Sequence, residues 1–128
     1  MPVFSKASKA KLETCDPLIQ QVMNAVIRNY DIIIVCGFRN EQDQEKAFRE
    51  GYSTARWGQS PHNIFLSEAV DIAPYPWDKY KNDPEKVYEM AAYVLEVASV
   101  MGVKLKWGGN WKIRKVSKLI DLPHFELA

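Results

Sequence analysis

The sequence has very little net charge. Its 17 Lys and Arg residues nearly balance its 16 Asp and Glu residues, which leaves a formal net charge of +1 over 128 residues. Proteins that bind nucleic acid or an anionic membrane surface usually carry a clear excess of positive charge. We therefore expect neither a nucleic-acid partner nor a stable association with a membrane.

Long apolar runs are absent as well. The longest is the segment IIIVCGF, which is far shorter than the roughly 20 residues that a membrane-spanning helix needs. The N-terminal segment MPVFSKASKAKLETC also lacks the apolar core of a signal peptide. We therefore expect the protein to be made in the cytoplasm and not to be exported by the signal-peptide route.

Cysteine is scarce, since Cys15 and Cys36 are the only two in the chain. Two cysteines are too few for a disulfide scaffold. Cys36 lies in an apolar, strand-like segment and is best interpreted as a small buried hydrophobic residue. No neighbouring base in the sequence supports a catalytic thiol at Cys15, so we expect no cysteine chemistry.

The overall amino-acid composition is typical of one globular domain. Apolar residues make up 47% of the chain and charged residues 26%, and no repeat, linker or low-complexity segment interrupts it. We expect a single domain over residues 1–128, in which residues 1–10 form a mobile lead-in.

Local signals predict both helices and strands. Asp16 and Pro17 predict the start of one helix, with Leu18 as the first member of its apolar stripe. Asp83 and Pro84 predict the start of a longer helix. The segments DIIIVCGF, EAVDIAPYP, VKLKW and HFEL predict strands. Because helices and strands are mixed and late connections are of the hairpin type, the pattern favours an α+β fold.

Histidine is as scarce as cysteine, but both histidines have carboxylates nearby. His62 lies in an irregular loop and is followed by Asp71 within an apolar strand, while His124 lies between Asp121 and Glu126. A carboxylate inside an apolar strand is costly unless it is paired or bound to a metal. A catalytic zinc site uses about three such ligands and leaves a further position for water. The pattern thus indicates His62, Asp71 and His124 as metal ligands, and two hydrogen-bonded structural histidines remain the alternative.

Six segments also occur in a characteristic order: LETCDPLIQQV, GFRNEQDQ, SPHN, AVDIAPYP, WGGNW and DLPHFEL. Together they span nearly the whole chain. They resemble the zinc D-Ala-D-Ala carboxypeptidase and L-alanyl-D-glutamate endopeptidase family, above all its single-domain phage and prophage branch. The resemblance implies a small α+β domain with a central antiparallel sheet flanked by helices, as in Hedgehog-type domains. It also implies a zinc metallopeptidase that acts on peptidoglycan.

The resemblance assigns roles to particular residues. It implies that His62, Asp71 and His124 hold one Zn²⁺ ion, and that Asp121 is the general base for attack on the amide. Two departures from the family pattern are visible. The IFLSE segment makes the spacer between His62 and Asp71 longer than in shorter-motif members, and Asn110 stands where an aspartate is expected.

Substrate-side residues follow from the same resemblance. It implies that Arg39 is a catalytic and substrate-binding residue. It also implies that Gln44 contacts the peptide. A guanidinium can hold a carboxylate through two hydrogen bonds, but this does not distinguish D-Glu from a terminal D-Ala. Trp107 lines a groove for substrate in one interpretation and packs in the core in the other.

Three functions are therefore compared. The favoured one is an L-alanyl-D-glutamate endopeptidase of phage or prophage origin, an endolysin. We expect its partner to be the peptidoglycan stem peptide, and we expect it to act as a monomer. The second is a D-alanyl-D-alanine carboxypeptidase, and the third is a non-catalytic zinc-containing module that binds the cell wall. Asp121 argues against the third. We expect such an enzyme to reach the wall after the host membrane has been permeabilised.

Overall fold

The computed structural model describes residues 2–51, 53–108 and 124–128, and the backbone of two short strands at 115–116 and 119–120. The helices are α1 (Lys6–Leu12), α2 (Pro17–Ile27), α3 (Glu41–Arg49), α4 (Trp77–Tyr80) and α5 (Pro84–Val100), with a 3₁₀ turn at Pro61–Asn63. The strands are β1 (Ile32–Cys36), β2 (Ala69–Pro74), β3 (Leu105–Trp107), β4 (Lys115–Val116), β5 (Leu119–Ile120) and β6 (His124–Leu127).

Four of these strands form one antiparallel sheet in the spatial order β1-β2-β6-β3. Strands β4 and β5 pair with each other in a separate ribbon. Strand β6 is the last strand in the chain, yet it lies in the interior of the sheet, between β2 and β3. The predicted α+β class with a central antiparallel sheet is confirmed.

The helix starts follow the predicted capping chemistry. The Asp16 carboxylate accepts the N–H of Leu18 at 2.9 Å, and Pro17 occupies the first turn of α2. Asp83 likewise accepts the N–H of Lys86 at 3.2 Å at the start of α5. Both side chains satisfy backbone donors that a helix leaves without a partner at its first turn. Among the residues that the structure describes, no helix is long and apolar enough to span a membrane.

The core lies between the sheet and helices α2 and α5. Buried residues from all three layers contribute to it: Ile19, Val22, Met23, Val26, Ile34, Val70, Ile72, Met90, Ala91, Val94 and Phe125. Leu18, predicted as part of the α2 stripe, is 45% exposed. The buried stripe instead begins at Ile19 and continues through Val22, Met23 and Val26, because this i, i+3, i+4 spacing keeps one face on the sheet.

Helix α1 (Lys6–Leu12) overlaps residues 1–10, for which a mobile lead-in was expected. It covers the outer edge of β1, where the Ser8 hydroxyl accepts the N–H of Ile34 at 3.1 Å. Thr14, which follows α1, accepts the N–H of Phe38 at 2.9 Å. An edge strand exposes backbone donors that need partners, so the hydroxyls of this segment order it against the sheet.

Candidate metal centre

A short 3₁₀ turn positions His62. The Ser60 hydroxyl accepts the N–H of His62 at 3.1 Å, and the Asn63 side chain accepts the N–H of Ser60 at 3.2 Å. The Ser60 hydroxyl also accepts the N–H of Asn63, so Ser60 and Asn63 bond reciprocally and close a capping box around the turn. The His62 ring points inward and is only 2% exposed.

Sheet register brings the other two predicted ligands together. Asp71 on β2 is the direct partner of His124 on β6. Val70 and Ile72, its neighbours on β2, are fully buried in the core on the opposite face of the strand. Because side chains alternate along β2, Asp71 lies on the face opposite the apolar core, and its carboxylate points toward the two histidines.

Three ligand atoms converge at this point. Asp71 Oδ1 lies 3.2 Å from His62 Nε2 and 3.0 Å from His124 Nδ1, and the two ring nitrogens are 3.3 Å apart. Tetrahedral zinc, with bonds of about 2.0–2.1 Å, separates its ligand atoms by about 3.3 Å. The donor set and its spacing therefore fit one zinc ion, and the IFLSE spacer does not keep His62 away from Asp71.

The outer nitrogen of each ring has an acceptor. His62 Nδ1 donates to the Gly37 carbonyl at 2.7 Å, and His124 Nε2 donates to the Glu126 carboxylate at 3.3 Å. A nitrogen that donates to an oxygen carries the proton, so the inner nitrogen of a neutral ring is left with its lone pair. Such outer bonds are the usual way in which proteins orient histidine ligands.

The charges in this cluster favour a cation. Burial would by itself lower the pKa of His62 and raise the pKa of Asp71. Their mutual attraction outweighs burial, so the pKa of His62 lies well above its ordinary value and the pKa of Asp71 well below it. The pKa of Glu126 is also lowered, chiefly by its hydrogen bond with His124. The site thus stabilises positive charge beside Asp71, and a divalent cation meets the same preference.

Cys36 lies behind His62. Its sulfur, a His62 nitrogen and an Asp71 oxygen all lie within 4.8 Å of one another. However, Cys36 Sγ is 3.9 Å from His62 Nδ1, the nitrogen that donates to Gly37. We favour His124 as the third ligand because its Nδ1 reaches the inner side of the cluster.

Arg39 borders the metal centre. Its Nη2 lies 3.4 Å from Asp71 Oδ2, the carboxylate oxygen that faces away from the histidines, and its side chain is 14% exposed. Its Nη1 donates to Gln44 Oε1 at 3.0 Å. Within the described residues these contacts use two of the five guanidinium N–H groups. A carboxylate bound by Arg39 would therefore lie next to the predicted metal ligands.

Gln44 is placed differently from the expectation that it contacts substrate. It is fully buried, and its Oε1 accepts from Arg39 and, at 3.1 Å, from Asn63. Its Nε2 donates to the Ser53 hydroxyl at 3.0 Å and to the Ala55 carbonyl at 2.6 Å. An amide side chain has two donor and two acceptor positions, and the protein uses all of them. Gln44 therefore holds Arg39 in place from the interior, and its contact with substrate stays a prediction.

Replacing Gln44 with alanine should lower the free energy of unfolding by about 1–3 kcal/mol, because its buried partners would lose their hydrogen bonds. Urea unfolding measures this change. Gln42→Ala is the matched control, since Gln42 lies exposed on the same helix, and it should change stability by less than about 0.5 kcal/mol. Equal losses in the two variants would contradict the role of Gln44 as a buried connector.

Trp107 also differs from its substrate-groove interpretation. Its ring is 6% exposed and stacks on Phe125, with centroids 6.5 Å apart. Tyr88 contacts it edge-on at 5.3 Å. The second interpretation, packing at the core, therefore describes Trp107, because the alternation of β3 turns it toward the apolar layer. Asp121 and Asn110 lie outside the described residues, and the role of Asp121 stays a prediction.

Two positioning residues were not identified from sequence. Gly37 supplies the carbonyl that orients His62, and a Cβ at this position would collide with Thr14 Oγ1 and the Lys11 carbonyl. Asn63 donates to the Arg39 carbonyl at 3.1 Å and so joins the His62 turn to the Arg39 segment. A backbone acceptor leaves no sequence signal, whereas Asn63 lies within the SPHN segment noted above.

Comparisons with known proteins agree on one class of enzyme. A family model described as phage L-alanyl-D-glutamate peptidase matches residues 2–128. The peptidoglycan L-alanyl-D-glutamate endopeptidase CwlK of Bacillus subtilis is 29% identical over 140 residues, which cover 99% of this chain and 77% of CwlK. The crystal structure of the L-Ala D-Glu endopeptidase ChiX of Serratia marcescens matches with a TM-score of 0.72 and 25% identity, over 99% of this chain and 91% of ChiX.

Proposed function

Because the chain belongs to the phage L-alanyl-D-glutamate peptidase family, we propose that it is a zinc-dependent endopeptidase that cleaves the L-Ala–D-Glu bond of peptidoglycan stem peptides. The observation that carries the zinc assignment is the convergence of His62 Nε2, Asp71 Oδ1 and His124 Nδ1 within 3.3 Å of one another. The comparisons support the choice of bond, since CwlK and ChiX both bear the name of this activity.

His62, Asp71 and His124 would hold one zinc ion. When bound, zinc supplies Lewis-acid chemistry: it polarises a carbonyl and lowers the pKa of water toward neutrality. Two neutral imidazoles and one carboxylate leave a zinc site with net positive charge, which favours this activation. The contribution of the protein is to orient both histidines, since the outer ring nitrogen of His62 is hydrogen-bonded to Gly37 and that of His124 to Glu126.

Asp121 and Arg39 would act on the water and the peptide. We assign Asp121, through its match to the family motif, as the base that takes a proton from the attacking water and returns it to the leaving amine. Arg39 would bind the α-carboxylate of D-Glu, which is free because D-Glu continues the stem through its side chain. The contact of Arg39 with Asp71 at 3.4 Å supports this placement beside the scissile bond.

The test is product identification on purified sacculi and on a synthetic stem peptide. The expected products carry new D-Glu amino termini, which mass spectrometry detects after amino-group labelling. Removal of zinc by a chelator should stop the reaction, and added zinc should restore it. Release of single D-Ala without new D-Glu termini would identify a carboxypeptidase instead. Binding to sacculi without any cleavage would identify a non-catalytic wall-binding module.

We also propose a role in phage lysis. The family description names phage enzymes, and peptidoglycan is the substrate that a lysis enzyme must cut. The enzyme would be made in the host cytoplasm and act as a monomer on the wall once the membrane has been permeabilised.

A further inference from the structure

We infer that Glu126 is a positioning residue that fixes the orientation and tautomer of His124 and thereby sets the affinity of the site for zinc. This inference rests on the metal centre of the proposed function. Glu126 is neither a predicted ligand nor the predicted base, and its carboxylate lies on the outer side of the His124 ring, 3.3 Å from Nε2.

Strand geometry places the two side chains together. His124 and Glu126 are two residues apart on β6, so both point to the same face of the sheet, whereas Phe125 points to the opposite face and is fully buried. The residue opposite Glu126 on β2 is Ala69. Its small side chain leaves room for the carboxylate to turn along the strand toward His124.

The imidazole of His124 can bind a metal through Nδ1 or through Nε2, and the Glu126 carboxylate selects Nδ1. An ionised carboxylate only accepts hydrogen bonds. The nitrogen facing it, Nε2, must therefore carry the proton, which leaves the lone pair on Nδ1. That nitrogen is 3.0 Å from Asp71 Oδ1 and 3.3 Å from His62 Nε2, so the selected tautomer is the one that a metal needs.

The two histidines are held by different chemistry. His62 donates to a neutral backbone carbonyl, that of Gly37. His124 donates to a charged side chain, which strengthens the hydrogen bond and makes the imidazole a better donor of its lone pair. The His124 contact is therefore the one through which a side-chain change can tune the metal.

A structural role for Glu126 would give different results. Its side chain is 23% exposed and bonds His124, so a purely structural role would show as a loss of stability in the metal-free protein. Lys106, its partner on β3, is exposed, and such a surface pair contributes little to stability. Removing the carboxylate should thus weaken metal binding without unfolding the protein.

The experiment measures zinc affinity of the whole chain by competition with a chelator of known affinity. Glu126→Ala should weaken the zinc Kd by about 10–100-fold. Glu126→Gln, which keeps an acceptor and loses the charge, should fall between Ala and wild type. Glu68→Gln is the control, because Glu68 is exposed just before β2 and carries the same charge; its zinc Kd should be that of wild type.

Cobalt substitution provides a second readout. The visible absorption of Co²⁺ reports ligand geometry, so Glu126→Gln should retain the wild-type spectrum and Glu126→Ala should alter it. The metal-free proteins should all unfold cooperatively, so that a weaker zinc Kd cannot be ascribed to an unfolded variant. A wild-type zinc Kd and cobalt spectrum in Glu126→Ala would overturn the inference, and so would equal losses in Glu126→Ala and Glu68→Gln.

Failure of the inference and failure of the proposed function give different results. If the wild type binds zinc but leaves the L-Ala–D-Glu bond intact, the function fails while a weakened Glu126→Ala variant still supports the inference. If the wild type cleaves that bond and Glu126→Ala binds zinc normally, only the inference fails. A wild-type protein that binds no zinc would overturn both.

Discussion

Replacing Asp71 with asparagine is expected to abolish both zinc retention and peptide cleavage. Asparagine keeps the size of the side chain but removes the negative charge that faces His62 and His124 at 3.2 and 3.0 Å. A neutral amide is a poor zinc ligand, and three neutral donors leave the cation without a counter-charge. Because a catalytic metal lowers the barrier by several kcal/mol, we expect the rate to fall by about 10³-fold or more.

Metal analysis after dialysis and the cleavage rate of a synthetic stem peptide measure the two effects of Asp71→Asn. Asp78→Asn is the matched control, since Asp78 is exposed on α4. It should keep both zinc and activity. An Asp71→Asn variant that retains a full complement of zinc would remove Asp71 from the ligand set, whatever its activity.

Replacing Asp121 with alanine should separate zinc binding from catalysis. If Asp121 is the base, zinc content should stay at the wild-type level, whereas hydrolysis should fall by about 10²–10⁴-fold because proton transfer loses its acceptor. Loss of turbidity of a cell-wall suspension and release of new amino termini both follow this rate. The contrast with Asp71→Asn lies in the metal content, which only the ligand variant should lose.

Asp31→Ala controls for removing a carboxylate elsewhere, since Asp31 is exposed immediately before β1, and its hydrolysis rate should be unchanged. Undiminished turbidity loss in Asp121→Ala would exclude Asp121 from the mechanism. Loss of zinc together with activity would instead make Asp121 part of the metal site.

Local signals predicted much of the fold. The caps at Asp16 and Asp83 and the prolines that follow them act within one turn, so a few neighbouring residues define each helix start. The contacts of α1 are not local: the Ser8 hydroxyl bonds the N–H of Ile34, which lies 26 residues later on the edge of the sheet.

Residue chemistry indicated the candidate metal centre. His62, Asp71 and His124 were identifiable because their types suit zinc and because a carboxylate inside an apolar strand needs a reason to be there. Gln44 was assigned to the substrate side and Trp107 was left between a substrate groove and the core, because burial separates contact with a peptide from support within the protein. Burial depends on what packs over a residue, and sequence neighbours do not reveal that.

The sequence by itself determined the helix starts, the apolar strands and the ligand types, since each depends on residues close together in the chain. Only the tertiary structure decided which atoms of those ligands meet. The pairing of β2 with β6 places Asp71 opposite His124 across 53 residues of sequence, and the partners Gly37 and Glu126 select the nitrogens that face inward. Such contacts arise from register and packing, which form only when distant segments come together.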